Sequence, residues 1–124
     1  SSHRQMIVSV YQDSVNILQD LKEKNIYCYV LSNWSAETFI GMTADYPFLN
    51  KFDGIIISGQ EKIIKPLEGI YLIAIDRYQL TPSDTIFIDD KLENIKTARR
   101  LGFKTIHLVD PYQIKNEIYK YLNY

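Results

Sequence analysis

The sequence predicts a three-layer α/β domain, in which a parallel sheet is covered by helices on both faces. Two observations lead to this prediction. Short apolar runs rich in β-forming residues recur along the chain, and amphipathic helical patterns separate them. Strands that alternate with helices form parallel sheets, because each connection has to cross one face of the sheet. A chain of 124 residues has room for a single domain of this kind.

The first half of the chain is predicted to alternate twice between helix and strand. Residues 7–24 form the first predicted helix, and residues 26–31 are a nearly continuous apolar run that predicts a buried strand. A second helix is expected near residues 36–44. Residues 54–58 contain three consecutive isoleucines and predict a second buried strand, which Gly59 would end. The inner face of the first helix would carry Ile7, Tyr11, Val15, Leu18 and Leu21.

The second half of the chain continues the alternation. Pro66 suits the first turn of a third helix, because proline at that position lacks only an N–H that the helix would not use. Residues 85–88 predict the third strand, and residues 91–101 predict a helix closed by a glycine. Residues 104–109 predict the fourth strand, and Pro111 opens a last helix.

The composition argues against several classes of partner. The net charge of −1 gives no electrostatic reason to bind nucleic acid or an anionic membrane. No apolar run approaches the roughly 20 residues of a membrane-spanning helix, and no secretory signal is visible. The single cysteine, Cys28, lies within an apolar run, which is typical of a buried thiol in a reducing cytosol. We therefore expect a cytoplasmic protein that binds neither nucleic acid nor membrane.

Two adjacent carboxylates, Asp89 and Asp90, follow directly after a predicted strand. Like charges repel, so such a pair needs a partner, and Mg²⁺ is held in proteins by one or two carboxylates. Ser32 lies at the end of the strand predicted at residues 26–31, and Lys65 lies on the loop after the second strand. Parallel α/β sheets bind ligands at the carboxyl ends of their strands. We therefore expect these four residues to converge.

These residue types together suit phosphoryl transfer. A hydroxyl and a backbone N–H bind phosphoryl oxygens, a lysine supplies positive charge, and Mg²⁺ neutralises and orients the phosphate. Each residue also has a structural interpretation: Ser32 as a turn or cap residue, Lys65 as a solvated side chain and Asp90 as the cap of the next helix. Asn94 could orient Asp90 or face water. Trp34 could line the mouth of a pocket or pack against the edge of the sheet.

The order and context of these residues resemble the haloacid dehalogenase (HAD) superfamily of hydrolases. Residues 29–33 (Tyr-Val-Leu-Ser-Asn) are similar to its second motif, and residues 64–66 (Ile-Lys-Pro) to its third. Residues 87–90 (Phe-Ile-Asp-Asp), with Asn94 downstream, are similar to its fourth. The resemblance runs from about Arg4 to the end of the chain and implies a Rossmann-like sheet. Residues 1–124 are accordingly interpreted as a partial HAD-like core domain.

One part of the family pattern is absent from the sequence. In the family, the first motif is a strand that ends in an aspartate, and this aspartate is the nucleophile. No such motif precedes residues 26–31. The resemblance therefore implies that the chain lacks the first central strand and most of the cap, which would leave a gap between the strands at residues 26–31 and 85–88. We expect a missing N-terminal segment, a cleaved piece or a swapped partner to complete the sheet.

The resemblance leaves two chemistries open. Haloacid dehalogenases of the family use no metal and carry neutral residues where Asp89 and Asp90 stand, whereas its phosphatases keep acids there for Mg²⁺. The acid pair therefore favours a Mg²⁺-dependent phosphatase acting on a small phosphorylated substrate, with 2-haloacid dehalogenation as the alternative. The resemblance implies phosphoryl binding by Ser32 and Asn33, with Trp34 beside them, and charge stabilisation by Lys65. It also implies a metal site in which Asp90 contacts the ion directly, Asp89 acts through water or in support, and Asn94 supports the acids.

A non-catalytic role is an alternative of another class. A phospho-receiver domain also combines acids, a hydroxyl and a lysine on a parallel sheet, but its acids follow the first strand and its lysine comes last. In this chain Ser32 and Lys65 precede the acids. A fragment or a degenerate relative with a role in assembly also fits a chain that lacks a nucleophile. An upstream segment that ends a strand in an aspartate would favour the enzyme.

Overall fold

The computed structural model of the protein describes residues 5–8, 26–45, 51–110 and 114–122. The strands are β1 (Gln5–Val8), β2 (Tyr27–Ser32), β3 (Gly54–Ile57), β4 (Thr85–Asp89) and β5 (Lys104–His107). The helices are α1 (Ala36–Asp45), α2 (Ser58–Glu61), α3 (Glu68–Tyr78), α4 (Leu92–Arg100) and α5 (Ile114–Leu122), with a 3₁₀ turn at Pro82–Asp84. In this part of the chain no helix has the length and apolar character needed to cross a membrane.

The five strands form one parallel sheet in the order β3-β2-β1-β4-β5. The predicted α/β fold class is therefore confirmed. Parallel strands that are buried on both faces need apolar side chains on both sides, and the strand sequences meet this requirement. One face packs a cluster that includes Val30, Ile88 and Ile118, and the other packs a cluster that includes Leu31, Tyr71 and Phe87.

The central strand of the sheet corrects a prediction. Gln5–Val8 pairs in parallel with β2 on one side and with β4 on the other. The position between β2 and β4 is thus filled by this chain, and the expectation of a gap there was wrong. The predicted helix was wrong for residues 7 and 8, and its remainder lies outside the described residues. A short apolar run has too few residues for its periodicity to distinguish a strand from a helix. Ile7 was assigned to the helix because it lies four residues before Tyr11, a spacing that a helix and a short strand can share.

Other element boundaries moved by a few residues. Asp89 is the last residue of β4 rather than the first residue after it. Pro66 lies in the loop before α3, which begins at Glu68. Gly59 does not follow β3 directly but lies within α2. A β-carbon there would collide with the backbone nitrogen of Ala36, so the close approach of two chain segments requires glycine at this position.

The burial of β1 predicts a large effect of truncating its side chains. Ile7 is 1% exposed and belongs to the cluster on the α3 and α4 side of the sheet. Ile7→Ala is expected to lower the free energy of unfolding by about 2–5 kcal/mol, because it removes buried apolar atoms and leaves a cavity. Urea denaturation of the two proteins measures this difference.

The matched control is Ile40→Ala on α1, since Ile40 is 68% exposed. This substitution is expected to change the free energy of unfolding by less than about 0.5 kcal/mol. Equal effects at the two positions would contradict the placement of residues 5–8 in the centre of the sheet.

Candidate active site

A pocket of about 230 Å³ opens at the carboxyl end of the sheet. The ends of β2 and β4 and the loop between α2 and α3 bring its walls together. All seven residues that the sequence singled out line this pocket, joined by one that it did not, Lys91. The lining residues are Ser32, Asn33, Trp34, Lys65, Asp89, Asp90, Lys91 and Asn94.

A buried ion pair forms the floor of the site. The Lys65 Nζ lies 2.7 Å from the Asp89 Oδ2, and the two side chains are 5% and 1% exposed. Asn94 Nδ2 donates a second hydrogen bond to Oδ2 at 3.1 Å, and the backbone N–H of Lys91 donates to Oδ1 at 2.9 Å. Both carboxylate oxygens of Asp89 therefore have donors, as burial of a charge requires.

The loop that carries Lys65 is held by side chains from two other elements. The Asn33 side chain accepts a hydrogen bond from the Lys65 N–H at 2.8 Å and donates one to the Lys65 carbonyl at 3.2 Å. The Thr97 hydroxyl on α4 donates to the Pro66 carbonyl at 2.8 Å. Three backbone groups of this loop are thereby fixed relative to the sheet edge. The side-chain amide of Asn33 is thus engaged with the backbone of Lys65.

Ser32 and Asp90 differ from the residues on the floor. Ser32 is 9% exposed, and its hydroxyl has no hydrogen-bond partner among the described residues. Asp90 is exposed, and its carboxylate likewise makes no hydrogen bond or ion pair within the described part of the chain. A nearly buried hydroxyl without a partner is costly, and a ligand that accepts or donates a hydrogen bond would remove that cost.

The Asp90 backbone is held although its side chain is open to the pocket. The Nε2 of His107 lies 2.9 Å from the Asp90 carbonyl oxygen. A carbonyl oxygen only accepts, so this nitrogen carries the proton. Within the residues that the structure describes, no group of three or more histidine, cysteine or acidic side chains is placed to hold a metal ion. Among the described residues, the carboxylates that line the pocket are those of Asp89 and Asp90.

Trp34 combines the two roles considered for it. Its side chain lines the pocket and also packs against the core cluster that contains Val30 and Ile88. Its ring stacks near Phe39 on α1, with the ring centroids 6.5 Å apart. Its carbonyl accepts hydrogen bonds from the Gly59 N–H at 2.9 Å and from the Ser58 hydroxyl at 3.2 Å. Trp34 is thus an anchored apolar wall in a pocket that is otherwise polar.

Tyr71 supports the site from the core. Its hydroxyl donates to the Asn94 carbonyl at 2.9 Å, and its side chain is fully buried. Burial raises the pKa of Tyr71 above its ordinary value, and the negative charge of Asp89 raises it further, while Arg100 lowers it. The Tyr71 hydroxyl therefore keeps its proton, and continues to donate to the Asn94 carbonyl, well into the alkaline range.

Sequence reasoning missed Lys91, Thr97 and Tyr71. Thr97 and Tyr71 lie on helices where their polar atoms could have faced water, and only the packing of α3 and α4 on the sheet brings them to the loop and to Asn94. Lys91 did carry a signal. A lysine at the start of a helix is unfavourable, and such a residue suggests a local function.

The raised pKa of Tyr71 predicts that Tyr71→Phe lowers the free energy of unfolding at neutral pH and raises it at high pH, relative to the wild type. At pH 7 the variant loses a buried hydrogen bond and is expected to be about 1 kcal/mol less stable. Above the ordinary tyrosine pKa, the unfolded wild type ionises while the folded protein does not, so wild-type stability falls by about 1.4 kcal/mol per pH unit relative to the variant. Urea denaturation from pH 7 to 11 measures the difference.

The control is Tyr27→Phe, because the Tyr27 side chain is 43% exposed. At pH 7 it is expected to lower the free energy of unfolding by less than Tyr71→Phe does, because the Tyr27 side chain is only partly buried. A stability difference for Tyr71→Phe that stays constant up to pH 11 would contradict the neutral, buried hydroxyl.

Comparison with known proteins identifies relatives of this chain. A family model described as haloacid dehalogenase-like hydrolase matches residues 1–108. The sesquiterpene phosphatase astK of Aspergillus oryzae is 32% identical over 95 residues, which are 77% of this chain and 48% of that protein. The (S)-2-haloacid dehalogenase 1 of a Pseudomonas species is 30% identical over 101 residues, 82% of this chain and 44% of that protein. The chain thus spans less than half the length of these two relatives.

The fold also matches solved structures. A predicted HAD-like family hydrolase from Porphyromonas gingivalis superimposes with a TM-score of 0.79 at 25% identity. The match covers 94% of this chain and 59% of that one. The arrangement of sheet and helices is therefore that of the HAD-like fold.

Proposed function

Because the chain belongs to the haloacid dehalogenase-like hydrolases, we propose that it is the core of a Mg²⁺-dependent phosphatase that acts on a small phosphorylated metabolite. The observation that carries the proposal is the distribution of hydrogen bonds in the pocket. Asp89 is saturated by donors from Lys65, Asn94 and the backbone, whereas Asp90 and the Ser32 hydroxyl are left open to a ligand. An open acid, an open hydroxyl and a fixed lysine are what a metal-bound phosphoryl group needs.

The acid pair fits Mg²⁺ in its donor chemistry. Mg²⁺ prefers carboxylate oxygens and is usually held by one or two of them, with water and substrate phosphate completing its shell. Asp90 would hold the ion through its open carboxylate, and Asp89 acts in support by fixing the strand end and Lys65. When bound, the ion neutralises and orients the phosphate. The hydrogen bond from His107 to the Asp90 carbonyl keeps that residue at the pocket.

Lys65 and Ser32 act on the phosphoryl group itself. The Lys65 ammonium is held at one place by Asp89, and the Asn33 amide fixes its backbone. A preorganised charge of this kind stabilises negative charge that develops in a transition state. The Ser32 hydroxyl and the backbone N–H that follows it bind phosphoryl oxygens, and Trp34 forms the apolar wall beside them.

The reaction that we propose has two steps and needs an aspartate as nucleophile. The aspartate attacks phosphorus, the ester oxygen leaves, and water then hydrolyses the aspartyl phosphate. After Val8 the sequence continues with Ser9, and Asp13 is the next acid. We place the nucleophile in a segment outside this chain or in a swapped partner, and we place the protein in the cytoplasm.

The acid pair favours a phosphatase over a dehalogenase. The haloacid dehalogenase relative makes halide release a real alternative. An uncharged pair of residues would suit a site that uses no metal, whereas Asp90 presents a carboxylate without a partner among the described residues. An exposed anion in this position would repel the carboxylate of a haloacid, and Mg²⁺ would compensate it in a phosphatase.

The role of Asp90 predicts the metal dependence of phosphate binding. Trp34 is the single tryptophan of the chain and lines the pocket, so its fluorescence can report binding of orthophosphate in a Mg²⁺ titration. Asp90→Asn is expected to raise the Mg²⁺ concentration needed for half-maximal phosphate binding by at least about tenfold, because the open carboxylate is lost. The charge-matched control is Asp84→Asn in the 3₁₀ turn, which does not line the pocket. An equal loss in both variants would count against a metal role for Asp90.

The missing nucleophile predicts that the 124-residue chain has no turnover by itself. Hydrolysis of p-nitrophenyl phosphate in the presence of Mg²⁺ is expected to be absent, because binding groups alone provide no covalent step. The longer protein that supplies the aspartate is expected to hydrolyse this ester and to lose activity in EDTA.

Two results would overturn these assignments. Turnover by the 124-residue chain that disappears in Asp90→Asn would show that the nucleophile lies within the chain. Undiminished activity of the longer protein in excess EDTA, with halide release from a 2-haloacid, would replace the phosphatase by a dehalogenase.

A further inference from the structure

Lys91 is the lining residue to which the proposed reaction assigns no role. Its backbone is fixed between β4 and α4. Its N–H donates to Asp89 Oδ1 at 2.9 Å, and its carbonyl accepts from the N–H groups of Asn94 and Ile95 at 3.1 and 3.2 Å. Lys91 is therefore the N-cap residue of α4, in an extended conformation. The position of its α-carbon at the pocket is set by three hydrogen bonds.

Lysine is a poor residue for this position. The N-cap side chain normally accepts a hydrogen bond from an N–H of the first turn, and an ammonium group has no acceptor. The structure shows no side-chain cap for α4. Positive charge at the start of a helix also opposes the helix dipole, which favours anions there. A residue that breaks two local rules without a local gain suggests a function.

The Lys91 side chain lines the pocket and is exposed to solvent. It makes no ion pair within 4.0 Å and no hydrogen bond with any residue in the described ranges. Lys65, the other lysine of the pocket, is paired with Asp89. Lys91 is thus a cation whose charge is not matched by the described part of the protein, at the open side of a pocket for an anion.

We propose that Lys91 selects phosphorylated substrates that carry a second anionic group, a carboxylate or a further phosphate, close to the phosphoryl group. This inference rests on the proposed phosphatase function. The buried Lys65 and the open Ser32 and Asp90 serve the phosphoryl group, so a cation at the rim is left for the rest of the substrate. A neutral substituent gains nothing from it, whereas an anionic one gains an ion pair that solvent only partly screens.

A purely local role for Lys91 makes a different prediction. If its charge only offset the repulsion between Asp89 and Asp90, its removal would lower the affinity for every phosphate ligand by the same factor. If it binds a second anionic group, its removal lowers the affinity for ligands with an anionic tail more than the affinity for ligands with a neutral tail. The ratio of two affinities therefore separates the two roles.

The experiment measures the binding of three stable phosphonates to the 124-residue chain at saturating Mg²⁺, followed by Trp34 fluorescence. Ethylphosphonate has a neutral tail, phosphonoacetate carries a carboxylate, and methylenediphosphonate carries a second phosphonate. The wild type is expected to prefer the two ligands with anionic tails by about threefold to tenfold, the range of a partly exposed ion pair. Comparison of phosphonoacetate with methylenediphosphonate shows whether a carboxylate or a second phosphonate is preferred.

Two substitutions at position 91 test the origin of the preference. Lys91→Met removes the charge and keeps the length, and the preference is expected to fall to about onefold. Lys91→Ser also removes the charge, but it supplies a good N-cap, so its thermal unfolding midpoint is expected to rise while the preference is lost. Higher stability with lower selectivity cannot result from damage to the fold. Lys96→Met on the exposed face of the same helix is the matched control and is expected to keep the preference.

The outcomes separate this inference from the proposed function. If ethylphosphonate binds but the preference is absent, persists in Lys91→Met or is lost equally in Lys96→Met, the role of Lys91 is overturned and the phosphatase proposal stands. If none of the three phosphonates binds to the wild type, the proposed function fails and this inference fails with it.

Discussion

The buried ion pair between Lys65 and Asp89 is the interaction on which the site depends. Neither side chain is more than 5% exposed, and a buried charge without its partner would cost several kcal/mol, on the order of 3–5. Lys65 lies on a loop outside regular structure, whereas Asp89 ends a strand in the interior of the sheet. The pair therefore fixes a loop to a strand, and the hydrogen bonds from Asn33, Asn94 and Thr97 act on the same junction.

The same ion pair gives the two adjacent acids different surroundings. Asp89 and Asp90 both line the pocket but differ in their surroundings. Asp89 is the last residue of β4 and is buried, while Asp90 follows the strand and is exposed. Lys65 satisfies the first acid, whereas the second has no hydrogen-bond or ion-pair partner among the described residues. The positive charge of Lys65 thereby reduces the mutual repulsion of the two carboxylates.

Sequence reasoning found the fold class and seven of the eight lining residues, because both follow from patterns that are local in the chain. Apolar runs and helical periodicity locate four of the strands, and the carboxyl ends of parallel strands meet at one edge. It failed where the outcome depends on tertiary contacts. Gln5–Val8 is too short to show a period, and only pairing with two buried neighbours makes it a strand. Tyr71 and Thr97 become part of the site only through helix packing.

The register of β1 indicates where the nucleophile of the proposed reaction would have to act. Val8 pairs with Val30 and with Ile88, so the strand ends one residue before the level of Asp89 and two before that of Ser32. A carboxylate delivered between these two strand ends would lie beside the fixed Lys65 and the open Asp90, and both the ammonium and a metal ion would favour its ionised form. The proposed reaction therefore needs a carboxylate that β1 itself does not supply, since Gln5–Val8 contains no acid. The register of β1 indicates the edge of the sheet at which a segment carrying that carboxylate would have to end.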